Sequence, residues 1–591
     1  MSPSNGGTAP SGDKKKPFFR GFLQRLRKRR IIETLAAFIG GGWLILEFVH
    51  WTLIDHYHFP EKTFDIALVT LVGILLCTLL WRWFSGREKP RKFKPELVLM
   101  PLVVLITVLL DINLLLHLKG PESEAIPTAK WQNSIAVLPF ADMSPHKDQG
   151  WFCDGITDEI IGRLSNIKEL KVPARTSVFF FKGKDQDIKE IGKKLGVATV
   201  LEGSIQKVET KLRARVQLIN IADGFHIWSE EYDRELKDIF AIQDEIGLAV
   251  VDKLKLTLLG DEKARLAKHH EIDPAAYEAY LRGLSCWWQS SEEGMTTALR
   301  HFLRAIEIEP DYAPAHAGVA LTYVFASTFI GLWSPREGVP RGKAAAKKAI
   351  ELDPMLADAY VAMGFARMNF DWDWVGAEKD FKRALDLGPH SSLAQDGYAN
   401  FLVLRGRFNE ATAVLNRALE LDPLSPGLHH DLGWTCRMSG QFDRAIPHFL
   451  RALELDRSML ASRVLLGSCY LVTGKPTQAL AEFKAVLQSA PNWPWAQSFL
   501  GYAYGVTGRR KEAKRVLVGL EKLAKKRYVP PQAQAYVYLG LGQNDIVLDW
   551  LEKAYEGHDV EMAFLNVDVL LAPLRNEPRF QALLKKAGFG K

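Results

Sequence analysis

The side chains best placed to do chemistry lie in the apolar runs near the N-terminus. Glu47 and His50 are three residues apart, which puts them on one face of a helix, and Asp111 stands in a later run. Ionisable groups inside a bilayer cost free energy and often mark proton or ligand sites. The competing reading is that Glu47 and His50 snorkel toward the outer surface near Asp55 and pair with Asp111. Their place in the outer third of the run favours it. The rest of the sequence carries few catalytic signals. It has no G-x-x-x-x-G-K-[ST] loop: Gly474-Lys475-Pro476-Thr477 falls in a turn where Pro476 opens a helix. Gly540-Leu541-Gly542 lacks the third glycine of a dinucleotide site, and His269-His270-Glu271 lacks the H-E-x-x-H spacing. Cys77, Cys153, Cys286, Cys436 and Cys469 are odd in number and scattered, with no C-x-x-C, so neither a disulfide framework nor a zinc site is suggested. The expectation is a protein that is not an enzyme and needs no cofactor or metal.

The elements that must position these groups begin with a Ser-, Pro- and Gly-rich start and nine Lys and Arg between Lys14 and Arg30. Those nine account for the net charge of +7, so a nucleic-acid partner is not expected. Apolar runs follow at Ile31–Ile54, Ile66–Trp83 and Leu97–Leu116, each near the roughly 20 residues that cross a bilayer core as a helix. The first is too long for a signal peptide and has no small-residue cleavage site. Arg82, Arg87, Lys89, Arg91, Lys92 and Lys94 crowd the second loop, whereas the first loop carries one Lys. The positive-inside rule therefore places the N-terminus in the cytoplasm and everything after Leu118 outside, in the periplasm of a bacterium.

From Ser134 the pattern changes to short strands and amphipathic helices. Strands are expected at Ser134–Phe140, Leu170–Pro173, Val200–Val208, Leu212–Ile219 and Phe225–Tyr232. Helices are expected at Ile156–Leu164, capped by Asp154, at Asp187–Leu195, ended by Gly196, and at Ile239–Leu256. The order β-α-β-α-β-β-β-α implies a mixed sheet with helices against it. The helix start at Asp154 could also take an anion. Trp228 and Tyr232 read as core.

Beyond a charged linker the chain repeats itself about every 34 residues between Tyr312 and Val518. Units close at Pro310, Pro354, Pro389, Pro423, Arg457 and Pro491. Small residues recur at Ala320, Gly364, Ala399, Gly433, Gly467 and Gly501, and bulky apolar ones at Leu415, Phe449, Phe483 and Leu517. This pattern resembles the tetratricopeptide repeat, a solenoid of helix pairs built to hold a partner. Counting inward positions from each closing residue selects Val361, Phe365, Asn400, His430, Trp434, Arg437 and Tyr502 as a groove for a peptide. Phe365, Trp434 and Tyr502 would be its anchors and Arg437 would meet an acidic group. The Lys and Asn of a carboxylate clamp are missing apart from Asn400. The first unit carries an insertion at 327–341 expected at one rim, near the α/β domain.

The words SIAVLPF (134–140), CDGITDEII (153–161), VLEGSIQ (200–206), VQLIN (216–220) and HIWSEEYDRELKDIF (226–240) resemble the TolB amino-terminal-like domain of bacterial signalling and envelope proteins. The resemblance implies an α/β module that precedes tetratricopeptide repeats and has no catalytic residues to carry across. Its relatives set the module behind winged-helix, cyclase or kinase domains; here three apolar runs occupy that place. The sequence therefore predicts a multidomain chain. A basic tail at 1–30 leads to three transmembrane helices at 31–118 and an α/β mixed-sheet domain at 131–257. A linker at 258–273 joins this to an all-α tetratricopeptide solenoid at 274–524, with degenerate repeats and a polar cap at 525–591. The expected role is a scaffold or assembly factor in the bacterial inner membrane that binds a protein or peptide and touches lipid. The rival is a sensor coupling the outer domains to a cytoplasmic partner. The sequence does not fix the oligomeric state.

Overall fold

The computed structural model describes residues 31–48, 62–85, six residues between 101 and 108, 132–256 apart from 166 and 185, residue 258, and 272–589. It divides into two compact units, 1–126 and 127–591.

In the first unit, Ile31–Phe48 is an 18-residue helix and Lys62–Ser85 a 24-residue helix. The expected set of three spanning helices is not recovered. Among the described residues, one helix is long and apolar enough to cross a membrane, Ala313–Ile330, and it belongs to the solenoid, where 61% of it is buried. The first run forms a helix over only 18 of its residues, about 27 Å at 1.5 Å per residue. In the second run the apolar stretch is confined to Ala67–Leu80, and the third is described, as helix, at only six residues.

The second unit opens with a five-stranded mixed sheet. β1 (Ile135–Val137) and β2 (Ala141–Asp142) both pair in parallel with β3 (Thr199–Val208). β4 (Lys211–Asn220) and β5 (His226–Glu235) then add antiparallel, giving the order β1-β3-β4-β5. Glu209, with φ of 52°, makes the tight turn between β3 and β4. Helix Ile188–Leu195 is bounded as expected: the Asp187 side chain accepts from Lys189 N, and Gly196 ends it at φ 69°. β5 is the outer strand of this order. Tyr232 is buried in the core, Trp228 is half-buried and packs against it, and Phe225 is 74% exposed.

Two other expectations fail locally. Leu170–Pro173 contributes a single bridge, Lys171 to Ser134, not a strand. The helix expected to start after Asp154 runs from Gly150 to Ser165, so Asp154 lies inside it and ion-pairs with Lys182 at 2.6 Å. A Cβ at Gly155 would sit 2.8 Å from Leu281 Cδ2 of the first solenoid helix, Pro274–Trp287, so the glycine lets the two helices meet.

The solenoid follows as antiparallel helix pairs. Its small residues are dictated by aromatic neighbours on the second helices: a Cβ at Gly433 would lie 2.8 Å from the Phe449 ring, and one at Gly467 would lie 2.7 Å from Phe483. Both rings are fully buried. Gly467→Ala forces the Phe483 ring to shift and should destabilise by about 1 to 2 kcal/mol, read as a lowered melting temperature. Farther on, helices Pro494–Val506 and Pro531–Gly540 touch backbone to backbone, since a Cβ at Gly505 would meet Gly540 C at 2.4 Å.

The helices Ala313–Phe325 and Ala357–Ala366, which open the second and third helix pairs, end with a π-turn, Ala326–Ile330 and Arg367–Asp371, closed by Gly331 (φ 70°) and Trp372 (φ 55°). The insertion meets the C-terminal region: Arg336 donates to Glu556 O, and Arg527 donates to Gly331 O at 3.2 Å.

Candidate functional site

The C-terminal segment folds back across the first repeats. His558 stacks on Trp372 with rings 5.0 Å apart and 4° from parallel, and on Phe370 at 4.7 Å; its Nδ1 lies 3.0 Å from Phe370 O. Tyr555 stacks on Trp372 at 5.0 Å. Trp372 and His558 both hold φ near 55°, a conformation that non-glycine residues keep only where their surroundings impose it. Farther along, Trp374 Nε1 donates to Ala587 O at 3.0 Å and its ring faces Phe589 at 4.7 Å. The tail expected to be a polar solvent cap is thus a closure, with Met562, Leu571 and Phe580 fully buried.

This closure turns the concave groove into a cavity of about 240 Å³. Asn400, His430, Trp434 and Arg437 line it as the inward count predicts. Val361 and Phe365 do not reach it. Both are sealed between repeats, and Phe365 packs on Phe325 and Phe381 at 5.0 and 5.3 Å. Tyr502 is half-buried against helix Pro531–Gly540 and lines no part of the cavity. Of the polar residues near the N-terminus, Glu47 is exposed at the end of its helix, while His50 and Asp111 lie outside the described residues.

The polar wall is unusual for a peptide groove. Arg437 is 2% exposed; its Nε donates to Ser468 Oγ at 2.8 Å and its Nη1 faces Met438 sulfur at 3.6 Å. Burial holds His430 neutral, its pKa lowered to about 4, and its Nδ1 lies 2.8 Å from Ser462 Oγ. Asn400 is spent on Asp396, donating to its carboxyl at 2.7 Å, so it is no carboxylate clamp. Burial raises the pKa of both Asp396 and Asp431. Asp396 is drawn back by hydrogen bonds from Asp431 and Asn400, whereas its charge pushes Asp431 higher still, so Asp431 keeps the proton.

The closure adds Gln532, Asp559, Glu561 and Phe564 to the lining. Trp434 meets Phe564 edge-on at 5.8 Å. Burial lifts the Asp559 carboxyl to about 7 and pushes Glu561 well above the carboxylate range. Counting from repeat prolines could not find these residues. Their one sequence signal is three acids, Asp559, Glu561 and Asp568, inside an apolar run.

A second contact joins the α/β domain to the repeats. Ala174 N donates to Leu421 O at 3.3 Å, Leu424 N donates to Ser177 Oγ at 2.9 Å, and Thr176 Oγ1 donates to the buried Asp422. Gln243 Nε2 donates to Tyr277 Oη at 2.8 Å, Lys207 pairs with Glu278, and the Arg282 guanidinium lies 3.9 Å from the Trp151 ring centroid.

With this geometry established, the comparisons with known proteins divide at the same boundary. Tetratricopeptide-repeat models match residues 390–458, 437–501 and 494–517. The C-terminal solenoid is built of tetratricopeptide repeats. Over residues 131–247 the matching model is the second domain of HilA/YgeH-like transcriptional regulators. A curated relative from Rhizobium meliloti (strain 1021), named "Putative adenylate cyclase 3", is 38% identical over 233 residues, 39% of this chain and 39% of its own length. The chain thus matches well under half of that relative. Among solved structures, PilF of Pseudomonas aeruginosa aligns with 36% of this chain and 92% of its own at 19% identity and TM-score 0.29. PilW, a type IV pilus biogenesis factor, aligns with 39% and 99% at 16% identity and TM-score 0.31.

Proposed function

We propose that this chain is a non-catalytic, membrane-anchored interaction protein that holds a protein partner on its tetratricopeptide solenoid. The observation that carries the reading is the stack of repeats docked against an α/β domain. Repeats of this kind offer extended surfaces to partners. With part of the concave face covered by the C-terminal segment, the surface left open includes the row formed by the helix ends Val472 and Val506, 45% and 49% exposed and one repeat apart. The membrane part of the proposal draws on the first unit. Trp43, Phe48 and Ile45 are at least half exposed on one helix, as are Val72, Ile74 and Leu76 to nearly the same degree on the next. Apolar surface of this kind suits lipid. A Cβ at Gly73 would come 2.4 Å from Thr107 Oγ1, the close small-residue approach common between helices in bilayers. The anchor and the placement of the soluble domains outside the cytoplasm are part of this proposal.

A regulatory role is the second reading. It is favoured by the names of the matches over the α/β region and the 233-residue relative, a transcriptional regulator and a cyclase. One experiment separates the two. Photoreactive residues at Val472 and Val506, with Val375 as an exposed control, are placed in the full chain and in a chain whose first 126 residues are replaced by an unrelated anchor. A scaffold gives the same discrete protein adduct at 472 and 506 in both chains and none at 375. A sensor keeps its adduct but loses its downstream output after the swap. Equal labelling at all three positions would refute a solenoid partner.

A further inference from the structure

We propose that the cavity between the repeats and the C-terminal closure is a binding site for a small zwitterion of the amino-acid type. Its carboxylate would meet Arg437, its ammonium Asp559 and Glu561, and its apolar body the Trp434 and Phe564 rings. This inference goes beyond the partner-holding role proposed above and does not depend on it.

The starting point is a set of buried polar atoms that close no hydrogen bond of good geometry. Arg437 Nη2, both amide atoms of Gln532 and both carboxyl oxygens of Asp559 have no hydrogen-bond partner among the described residues. The three residues are 2%, 2% and 0% exposed, and all line this cavity. Asp559 faces the backbone N–H groups of Gln532, Val560 and Glu561 but closes no bond of good geometry with them. Buried groups left this way are destabilising unless something else completes their bonding. Other charges nearby are already committed: Arg527 pairs with Glu292 at 2.7 Å, and protonated Asp431 hydrogen-bonds to Asp396. Arg437 forms no ion pair among the described residues, although Glu561 lies close enough for its charge to be felt.

The distribution of these groups sets the ligand class. The cationic donor comes from helix Pro426–Met438 of a repeat, and the acids come from the closing segment. A purely anionic ligand would leave the acids unanswered, and a purely cationic one would leave Arg437. A molecule carrying both charges completes both walls and ties the closure to the repeats. Between them the aromatic rings offer an apolar surface, and the space takes about eight waters or one molecule of about a dozen heavy atoms. Asp559, held near pKa 7 in the unliganded chain, would ionise as an ammonium group arrives.

The test is calorimetric titration of the full chain in detergent with three matched probes: L-phenylalanine, phenethylamine and 3-phenylpropionate. The zwitterion should bind at least tenfold more tightly than either half-molecule. Arg437→Gln should weaken L-phenylalanine and 3-phenylpropionate at least tenfold and leave phenethylamine unchanged; Asp559→Asn should do the reverse. Ala461→Leu, a half-buried lining position, should fill the space and abolish all binding with the melting temperature kept. This variant keeps the test decisive if either charge variant unfolds. No heat from any probe at millimolar concentration would mean that the cavity holds only water, and would overturn the proposal. Binding of all three with equal strength, or binding that survives Ala461→Leu, would overturn it as well.

Discussion

Trp374→Ala is expected to free the C-terminal helix from the second repeat at a cost of about 3 to 5 kcal/mol, the usual range for removing a buried tryptophan. Trp374 is 8% exposed. It gives up four contacts at once: its hydrogen bond to Ala587 O at 3.0 Å, the Phe589 ring at 4.7 Å, the Phe401 ring at 6.3 Å and the Arg405 guanidinium at 5.2 Å. Gly588 fits because of this packing, since it holds φ 76° and a Cβ there would lie 2.9 Å from the indole nitrogen. The substitution spares the helix it sits on: Trp374 opens Trp374–Leu387, whose cap is Asp373, and alanine is the best helix former. The loss is therefore of closure and not of a repeat. Hydrogen exchange at 578–589 should rise by orders of magnitude in the variant, and solution scattering should report a larger radius. Trp374→Phe keeps an aromatic ring and loses the donor, so its cost should be nearer 1 kcal/mol. Unchanged protection at 578–589 in Trp374→Ala would show that the Trp372–His558 stack closes the solenoid without it.

The repeats were legible because their period is enforced one contact at a time. Gly364, Gly433 and Gly467 each admit a phenylalanine ring from the paired helix, while Gly501 admits Val537 and Val516, and substitution at either place is felt. Local signals also gave the Ile188–Leu195 helix, whose cap and terminating glycine are both within its own sequence. What failed was decided at a distance. Asp154-Gly155 has the composition of a helix start, but that glycine answers to Leu281, more than a hundred residues away. The inward count includes Phe365, yet Phe325 at the end of helix Ala313–Phe325 and Phe329 in the π-turn after it lie over it. The inward count and the cavity lining coincide in the middle of the candidate groove, at His430, Trp434 and Arg437. The groove was missed at its lid, because His558 and Phe370 meet across 188 residues with no periodicity to announce it. A solenoid pattern gives the curvature of the wall; it says nothing of which segment of the same chain will lie within it.

The docking of the α/β domain on the repeats should weaken as pH rises from 5 to 8, by on the order of 3 kcal/mol in total. Glu159 on helix Gly150–Ser165 and Asp358 on helix Ala357–Ala366 face each other across the contact, and burial raises them to about 7 and about 6. Asp158 is raised by burial too, and each carboxyl disfavours ionisation of the next. Around them stand Arg163, engaged with Asp244, and Arg175, whose guanidinium lies 3.6 Å from the Phe179 centroid. The neutral Tyr277, Tyr280 and Tyr312 also face them, and burial holds the nearby His390 near pKa 4. The sign follows from the raised acids. The folded chain keeps protons that the unfolded chain has already lost above its ordinary values of 4.5 and 3.8, so stability is fullest below pH 4. It declines as pH rises through 6 and 7 and levels off above. Water still reaches these half-buried groups, which is why the total is set below what the displacements alone would give. Glu159→Gln mimics the protonated acid at every pH. It should match the parent at pH 5 and melt at a higher temperature at pH 8, with the parent's pH dependence reduced by about half. A parent whose melting temperature rises between pH 5 and pH 8 would mean that Arg163 and Arg175 hold these carboxyls ionised in the folded state, and the contact would then be an ion-pair network stabilised by charge.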